Sequence, residues 1–206
     1  IQTFTEGTSF KKVENVDDYE NVSITQVESE IKGLFKIGDV SSKAQGATTV
    51  SDQEQVKRRA YMKFKIEAAM MGANIIYLTN QRTEGSKFSL FSSYPGSKAQ
   101  ASLTGIAYSN IIPSFDKFEE LVGDKENFEA IFESSLKSNE STMSQKEILK
   151  KFTINEIINE NGFIILIGNL EKVKEPTKFR VVSFTNQYFN IYYSYKTTVY
   201  NIKISF

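Results

Sequence analysis

Residues 52–71 carry the clearest periodic signal in the chain. Val56, Ala60, Phe64, Ala68 and Met71 recur at spacings of three or four, with no Gly or Pro among the intervening residues. That spacing predicts an amphipathic helix with one buried stripe. Ser51 or Asp52 is the expected N-cap, through a side-chain oxygen. Gly72 is the expected stop, because Gly takes the left-handed conformation without a Cβ penalty. Upstream, residues 31–40 read as a strand interrupted at Gly33 and Gly38, with a bend or bulge near one of them. Downstream, an apolar strand begins over 73–79. Residues 99–108 alternate Ala101, Leu103, Gly105 and Ala107 with more polar positions and read as a further strand. Residues 10–16 and 22–27 are weaker strand candidates. The expected unit is a helix packed on a sheet containing 31–40 and 74–80. If those two strands pair in parallel, the crossover is right-handed.

From Pro113 the pattern changes. Phe115, Phe118, Leu121 and Val122 fit a short helix capped by Ser114. Phe128, Ile131, Phe132 and Leu136 fit a second. Ser144-x-x-Glu147 has the capping-box spacing of a third, and the polar run 137–145 reads as a linker. Strand-like runs come next over 152–158, 163–170 and 178–184, with alternating segments around 189–195 and 200–206. Asn161-Gly162 favours a tight hairpin, because both residues tolerate positive φ. The fold class read from this is α+β. Residues 1–112 form a small α/β domain with one principal helix on a sheet. Residues 113–206 form a five-stranded antiparallel meander covered by short helices.

The run from Arg59-Ala60 to Gly72-Ala73-Asn74-Ile75-Ile76 resembles the "AR…A…GANAV" signature of small bacterial α/β domains. These include the YbjQ-like proteins and the lipoprotein sensor of the Rcs envelope-stress pathway. Ile37-Gly38-Asp39-Val40 and Leu103-Thr104-Gly105-Ile106-Ala107-Tyr108 are similar to the flanking strands of such domains. The resemblance covers residues 31–108. It implies the fold and an envelope location, and it does not imply an enzyme. The sensor's disulfides, and the metal-binding label given to a YbjQ-like relative, have no Cys or His here to carry them.

Composition narrows the chemistry. The 206 residues hold 25 Lys or Arg, 25 Asp or Glu, and no His, Cys or Trp. A thiolate nucleophile, a Cys or His zinc site, a Ser-His-Asp triad and a haem His ligand are therefore excluded. Zero net charge argues against a general nucleic-acid or anionic-membrane surface. No apolar run approaches the roughly 18 residues of a transmembrane helix. There is no Walker loop and no Gly-x-Gly-x-x-Gly, so no cofactor is expected. Lys outnumbers Arg by 21 to 4, which, with the many Ile and Asn, suggests an AT-rich bacterial genome. The polar start Ile1-Gln2-Thr3-Phe4-Thr5 resembles the first residues of a mature chain after signal-peptide removal. An exported protein, periplasmic or outer-membrane-associated, is the expectation, and a lipid-anchoring Cys upstream of Ile1 is compatible with it.

Candidate sites divide into solvated surface and contact surface. Lys57-Arg58-Arg59 with Lys63 and Lys65 could meet phosphate or an acidic partner, and reads first as the solvated face of the helix. Asp17-Asp18-Tyr19-Glu20 and Glu28-x-Glu30 could offer oxygen ligands, but lack the loop spacing of a calcium motif. Tyr188, Tyr192, Tyr193, Tyr195 and Tyr200 suit either a binding surface or a half-buried sheet. Phe88, Leu90, Phe91 and Tyr94 lie in an otherwise polar segment, 80–98, and are the partner-binding candidates. The leading expectation is a non-enzymatic exported protein that contacts a protein or other cell-envelope component. A small-ligand binding protein with a cavity between the two modules is the second reading. A carboxylate-based or Ser/Lys hydrolase is the third.

Overall fold

A computed structural model describes residues 11, 13–48, 52–85, 98–140, 142–174 and 177–206. The helix lies where the periodicity placed it. α1 spans Gln53–Met70, and its N-cap Asp52 accepts from the Glu54 N–H at 3.0 Å. Val56, Ala60, Phe64 and Ala68 are fully buried. They pack on a four-stranded sheet of β1 (Ser23–Thr25), β2 (Phe35–Gln45), β3 (Ile75–Glu84) and β4 (Gln100–Ser109), in the order β1-β3-β4-β2. β2 begins later than expected, because Gly33 takes φ +79° in the turn before it, and its irregularity falls between Lys36 and Gly38. β2 and β3 share the sheet but are not neighbours. β4 returns antiparallel between them and pairs with both. The parallel pair is β1 with β3. Residues 13–15 form no strand, and Val16–Asn21 and Glu28–Ile31 are 3-10 helices.

The second half closes into a barrel. β5 (Asn127–Lys137), β6 (Ser144–Glu160), β7 (Phe163–Leu170), β8 (Lys178–Phe184), β9 (Tyr188–Tyr195) and β10 (Thr198–Ser205) join in the order β10-β5-β6-β7-β8-β9. The sheet therefore has six strands rather than five, and two expected helices are strands. The second helix, on Phe128, Ile131, Phe132 and Leu136, is β5. Its register shifts between Ala130 and Phe132, and the extra residue flips which side chains face inward. Phe128 consequently belongs to the barrel core, whereas Leu136 clusters with Ile66 and Met70 of α1. A bulged strand has thus imitated helical spacing. The third helix, at Ser144-x-x-Glu147, is the start of β6, where pairing with β5 overrides the local capping pattern. The Asn161-Gly162 turn forms as expected, at φ +55° and +88°, between the paired ends Glu160 and Phe163.

Side chains fill the barrel. Phe128 and Phe189 meet edge-to-face at 5.4 Å, and Phe152 and Phe179 at 5.2 Å. The predicted helix at Ser114 is α2 (Phe115–Val122). It lays Phe118 over one end, 5.4 Å from Phe184 and from Phe189. Toward the other end Tyr193 stacks on Tyr200 at 4.7 Å. Nearby, buried Glu133 accepts from Lys146 at 2.9 Å and from Lys150 at 3.2 Å. Such an interior is a packed core rather than a lumen for a ligand. Two clefts open where the barrel meets the unit of sheet and α1.

Candidate functional site in the seam between sheet and barrel

α1 is buried on two sides. Its second stripe, Ile66 and Met70 with Met62, packs with Leu136 and Val199 on the outside of the barrel. A helix covered on both sides reads as weakly amphipathic, which is why one stripe alone was evident in its sequence.

The barrel meets α1 with one cross-strand row. Arg180, Tyr192 and Asn201 are register partners on β8, β9 and β10, so their side chains leave the same face. Asn201 Nδ2 donates to the Met70 carbonyl at 2.9 Å. Arg180 Nη2 donates to the Met71 carbonyl at 3.0 Å, and Nη1 reaches the Ile37 carbonyl on β2 at 2.8 Å. The guanidinium also lies 5.4 Å from the Phe163 ring centre and 5.1 Å from that of Tyr192. A cation at a helix C-terminus satisfies orphan carbonyls and opposes the negative end of the dipole. Desolvation nonetheless lowers the Arg180 pKa. Gly72, at φ +79°, ends the helix as predicted and has a second role. A Cβ there would stand 3.0 Å from Val182 Cβ and 3.2 Å from its carbonyl oxygen, so β8 approaches the helix end closely enough that any side chain at 72 would push against it.

Lys63 corrects the solvated-face reading of the basic cluster. It is 3% exposed, and its Nζ donates to the carbonyls of Lys137, at 3.1 Å, and Ser138. Lys65 donates to the Glu20 carbonyl at 3.0 Å and Arg59 to that of Gln45 at 3.3 Å. Glu67, one turn beyond Lys63, is pushed up to about 7, first by burial, against a hydrogen bond from the Ser41 backbone and the charge of Lys63. Tyr192 is pushed up to about 12, by burial and then by the nearby Glu67 carboxylate.

Beyond the helix end the seam opens into a cavity of about 240 Å³. Its polar lining includes Asn74, Asn110, Ser183, Thr185 and Tyr188, and Ile112, Val182 and Phe184 are among its apolar walls. Buried Asn74 donates from Nδ2 to Asn110 Oδ1 at 2.7 Å, and its Oδ1 accepts from the Asn110 N–H at 3.4 Å. This brace ties the α1–β3 connection to the end of β4. Across the cavity Asn190 Nδ2 donates to Ser183 Oγ at 2.9 Å. The Asn110 side-chain NH2 and the Tyr188 hydroxyl make no hydrogen bond among the described residues. Among the described residues Glu14 is the only acid in the lining, and no Lys or Arg lines it. Lys203 lies 4.5 Å from the centre of the Tyr188 ring.

Phe88, Leu90, Phe91 and Tyr94, the predicted contact residues, lie outside the described residues. The tyrosines divide by register: Tyr193 and Tyr200 into the barrel, Tyr192 into the seam, Tyr188 to the cavity, and Tyr195 to the surface. Asp17 accepts from Gln145 Nε2 at 2.8 Å, and Asp18 accepts from the Asn15 N–H at 3.1 Å. Among the described residues no group of three His, Cys, Asp or Glu is placed to hold a metal ion. Nor is any helix there long and apolar enough to cross a membrane. Most cavity residues were missed because they come from four separated segments; Gly72 and Asn74, in the Gly-Ala-Asn run, and Tyr188, among the strand tyrosines, carried a sequence signal, but nothing in the sequence joined them. No family model matches the chain. No curated protein and no solved structure matches it either.

Proposed function

We propose that the protein is a non-enzymatic binding module that takes a small neutral ligand in the cavity between its sheet and its barrel. The observation that carries this reading is the cavity itself, open between two packed units and lined by Asn110 and Tyr188 with polar groups unused. Its volume lies below the roughly 300–1,000 Å³ of sites for drug-sized molecules, so it suits something the size of a monosaccharide. With Glu14 the one acid among the described lining residues, and Lys203 near Tyr188, no net charge among them calls for an ionic ligand. Amide and hydroxyl groups beside Phe184 and Tyr188 suit a ligand with hydroxyl or amide groups and one apolar face. A single acid gives no carboxylate pair for general acid–base hydrolysis, which supports binding over turnover. The exported location belongs to this proposal on the strength of the resemblance at 31–108.

Saturation-transfer NMR with glucose, N-acetylglucosamine, myo-inositol, acetate and trimethylamine tests it. Transfer to at least one neutral compound is expected, and Asn110→Ala and Tyr188→Ala should each abolish it while leaving the melting temperature unchanged. Transfer only to the ionic compounds, or transfer that survives both substitutions, refutes the proposal.

A further inference from the structure

Two walls of the cavity beyond α1 are unbroken runs of chain, 109–113 and 182–185. Side chains alternate between faces along a strand, so what 182–185 share along the cavity is their backbone. This part of β8 has an open edge. β8 pairs with β7 only over 178–180, against 165–167. Its register with β9 then shifts between Val181 and Ser183, a bulge of the kind that bends a strand. Bonded and unbonded pairs alternate along an antiparallel ladder. The Thr185 N–H donates to the Tyr188 carbonyl at 2.8 Å. Ser183 and Asn190, two steps along, are therefore a bonded pair too, and Phe184 and Phe189 between them are not. The Phe184 N–H and C=O thus point away from β9, to the side β7 has left, and make no hydrogen bond among the described residues. On the other run the Ile112 N–H and C=O are likewise unused among the described residues. A residue that turns its N–H and C=O the same way is complemented by one residue of a second extended chain, whose N–H and C=O belong to the two amides flanking its Cα. A lone hydroxyl or a single amide satisfies half of that pair.

We propose that the cavity takes one residue of an extended, uncharged peptide, added as a strand to the free edge of β8 at Phe184. This rests on the reading of the cavity as a site for a small neutral ligand, and names the class of that ligand. The peptide N–H donates to the Phe184 carbonyl, and the peptide carbonyl accepts from the Phe184 N–H. Ile112 and Val182 supply apolar walls for an aliphatic side chain, and the Asn110 side-chain NH2 is a further donor for a flanking carbonyl. No Lys or Arg among the described lining residues is there to hold a terminal carboxylate, so the bound residue is an internal one with an amide on each side.

The test is amide chemical-shift titration of the full chain with three probes: N-acetylvaline N-methylamide, which is one residue with both of its amides; the analogue in which an ester oxygen replaces the valine N–H; and myo-inositol. The diamide is expected to give saturable shifts at 182–185 and 110–112, with the Phe184 amide proton moving downfield as it gains an acceptor. The ester loses one hydrogen bond and sets its oxygen against the Phe184 carbonyl, so it should bind at least about tenfold more weakly. Equal binding of diamide and ester overturns the proposal, as does saturable binding of the diamide that leaves the Phe184 amide unmoved. Saturable shifts at these residues with myo-inositol but not with the diamide overturn it and leave the neutral-ligand reading standing. No saturable shift with any of the three overturns both. Shifts at 182–185 that depend on protein concentration before any probe is added assign the edge to a second copy of the chain, and overturn the peptide.

Discussion

Glu67→Gln is expected to change how stability depends on pH while leaving the fold intact. In the folded chain the carboxyl is half-buried in the seam, and its pKa rises from an ordinary 4.5 to about 7. The folded state therefore holds a proton that the unfolded chain releases between pH 4.5 and 7. Stability from this group is fully present below 4.5 and is lost as pH rises through 7. At about 1.36 kcal/mol per pH unit the loss reaches about 3 kcal/mol by pH 8, an upper figure because the group keeps some water. Gln retains an acceptor for the Ser41 N–H and cannot ionise. Urea unfolding of both proteins at pH 5 and pH 8 measures the effect. The variant should match the native chain within about 1 kcal/mol at pH 5 and exceed it by about 2–3 kcal/mol at pH 8. Glu133, whose pKa is lowered within its ion pairs with Lys146 and Lys150, loses its contribution only as pH falls below the ordinary carboxylate range, and it does so in both proteins. Parallel pH dependence in the two proteins refutes the assignment of a desolvated acid to the seam.

Two further substitutions probe the seam. Arg180→Ala strips charged donors from the Met71 and Ile37 carbonyls and should cost about 2–4 kcal/mol in urea unfolding; Arg180→Lys should recover only part of this, since a single ammonium cannot reproduce the guanidinium fork. Gly72→Ala and Gly33→Ala both impose a Cβ at φ +79°, but only position 72 meets a neighbour, Val182, while position 33 has nothing within 4 Å. The first should therefore cost at least about 1 kcal/mol more than the second, and equal losses would show that β8 does not press on the helix end.

The sequence was most legible where local chemistry and burial agree. α1 and its Gly72 stop, the Asn161-Gly162 turn, and strands β4, β7, β8, β9 and β10 follow from periodicity and turn residues alone. The failures have two physical origins. In β5 the extra residue between Ala130 and Phe132 sends Phe128 into the barrel and Leu136 onto α1, so apolar side chains on opposite faces fall at helical spacing. The seam was illegible for another reason: it is made by contacts distant in sequence. Lys63 looks like a solvent-facing lysine until the β5–β6 turn arrives to accept from it, and Arg180 looks like an exposed strand residue until α1 ends beside it. The cavity joins residues near 14, 74, 110 and 185 that no motif connects. Closure of the barrel was equally hidden, because pairing of β10 with β5 is a long-range choice that leaves no mark on either strand.

A crystallographic fragment screen tests the central claim, that the sheet and barrel together form a ligand site, most directly. Equal sets of neutral, cationic and anionic fragments of about 8–12 non-hydrogen atoms would be soaked, a size matched to a cavity below the drug-sized range. Neutral fragments bearing hydroxyl or amide groups are predicted to cluster between Asn110 and Tyr188, accepting from the Asn110 side-chain amide and lying against Phe184. A cavity that stays empty while neutral fragments gather elsewhere on the molecule would contradict the account, and so would one occupied only by charged fragments.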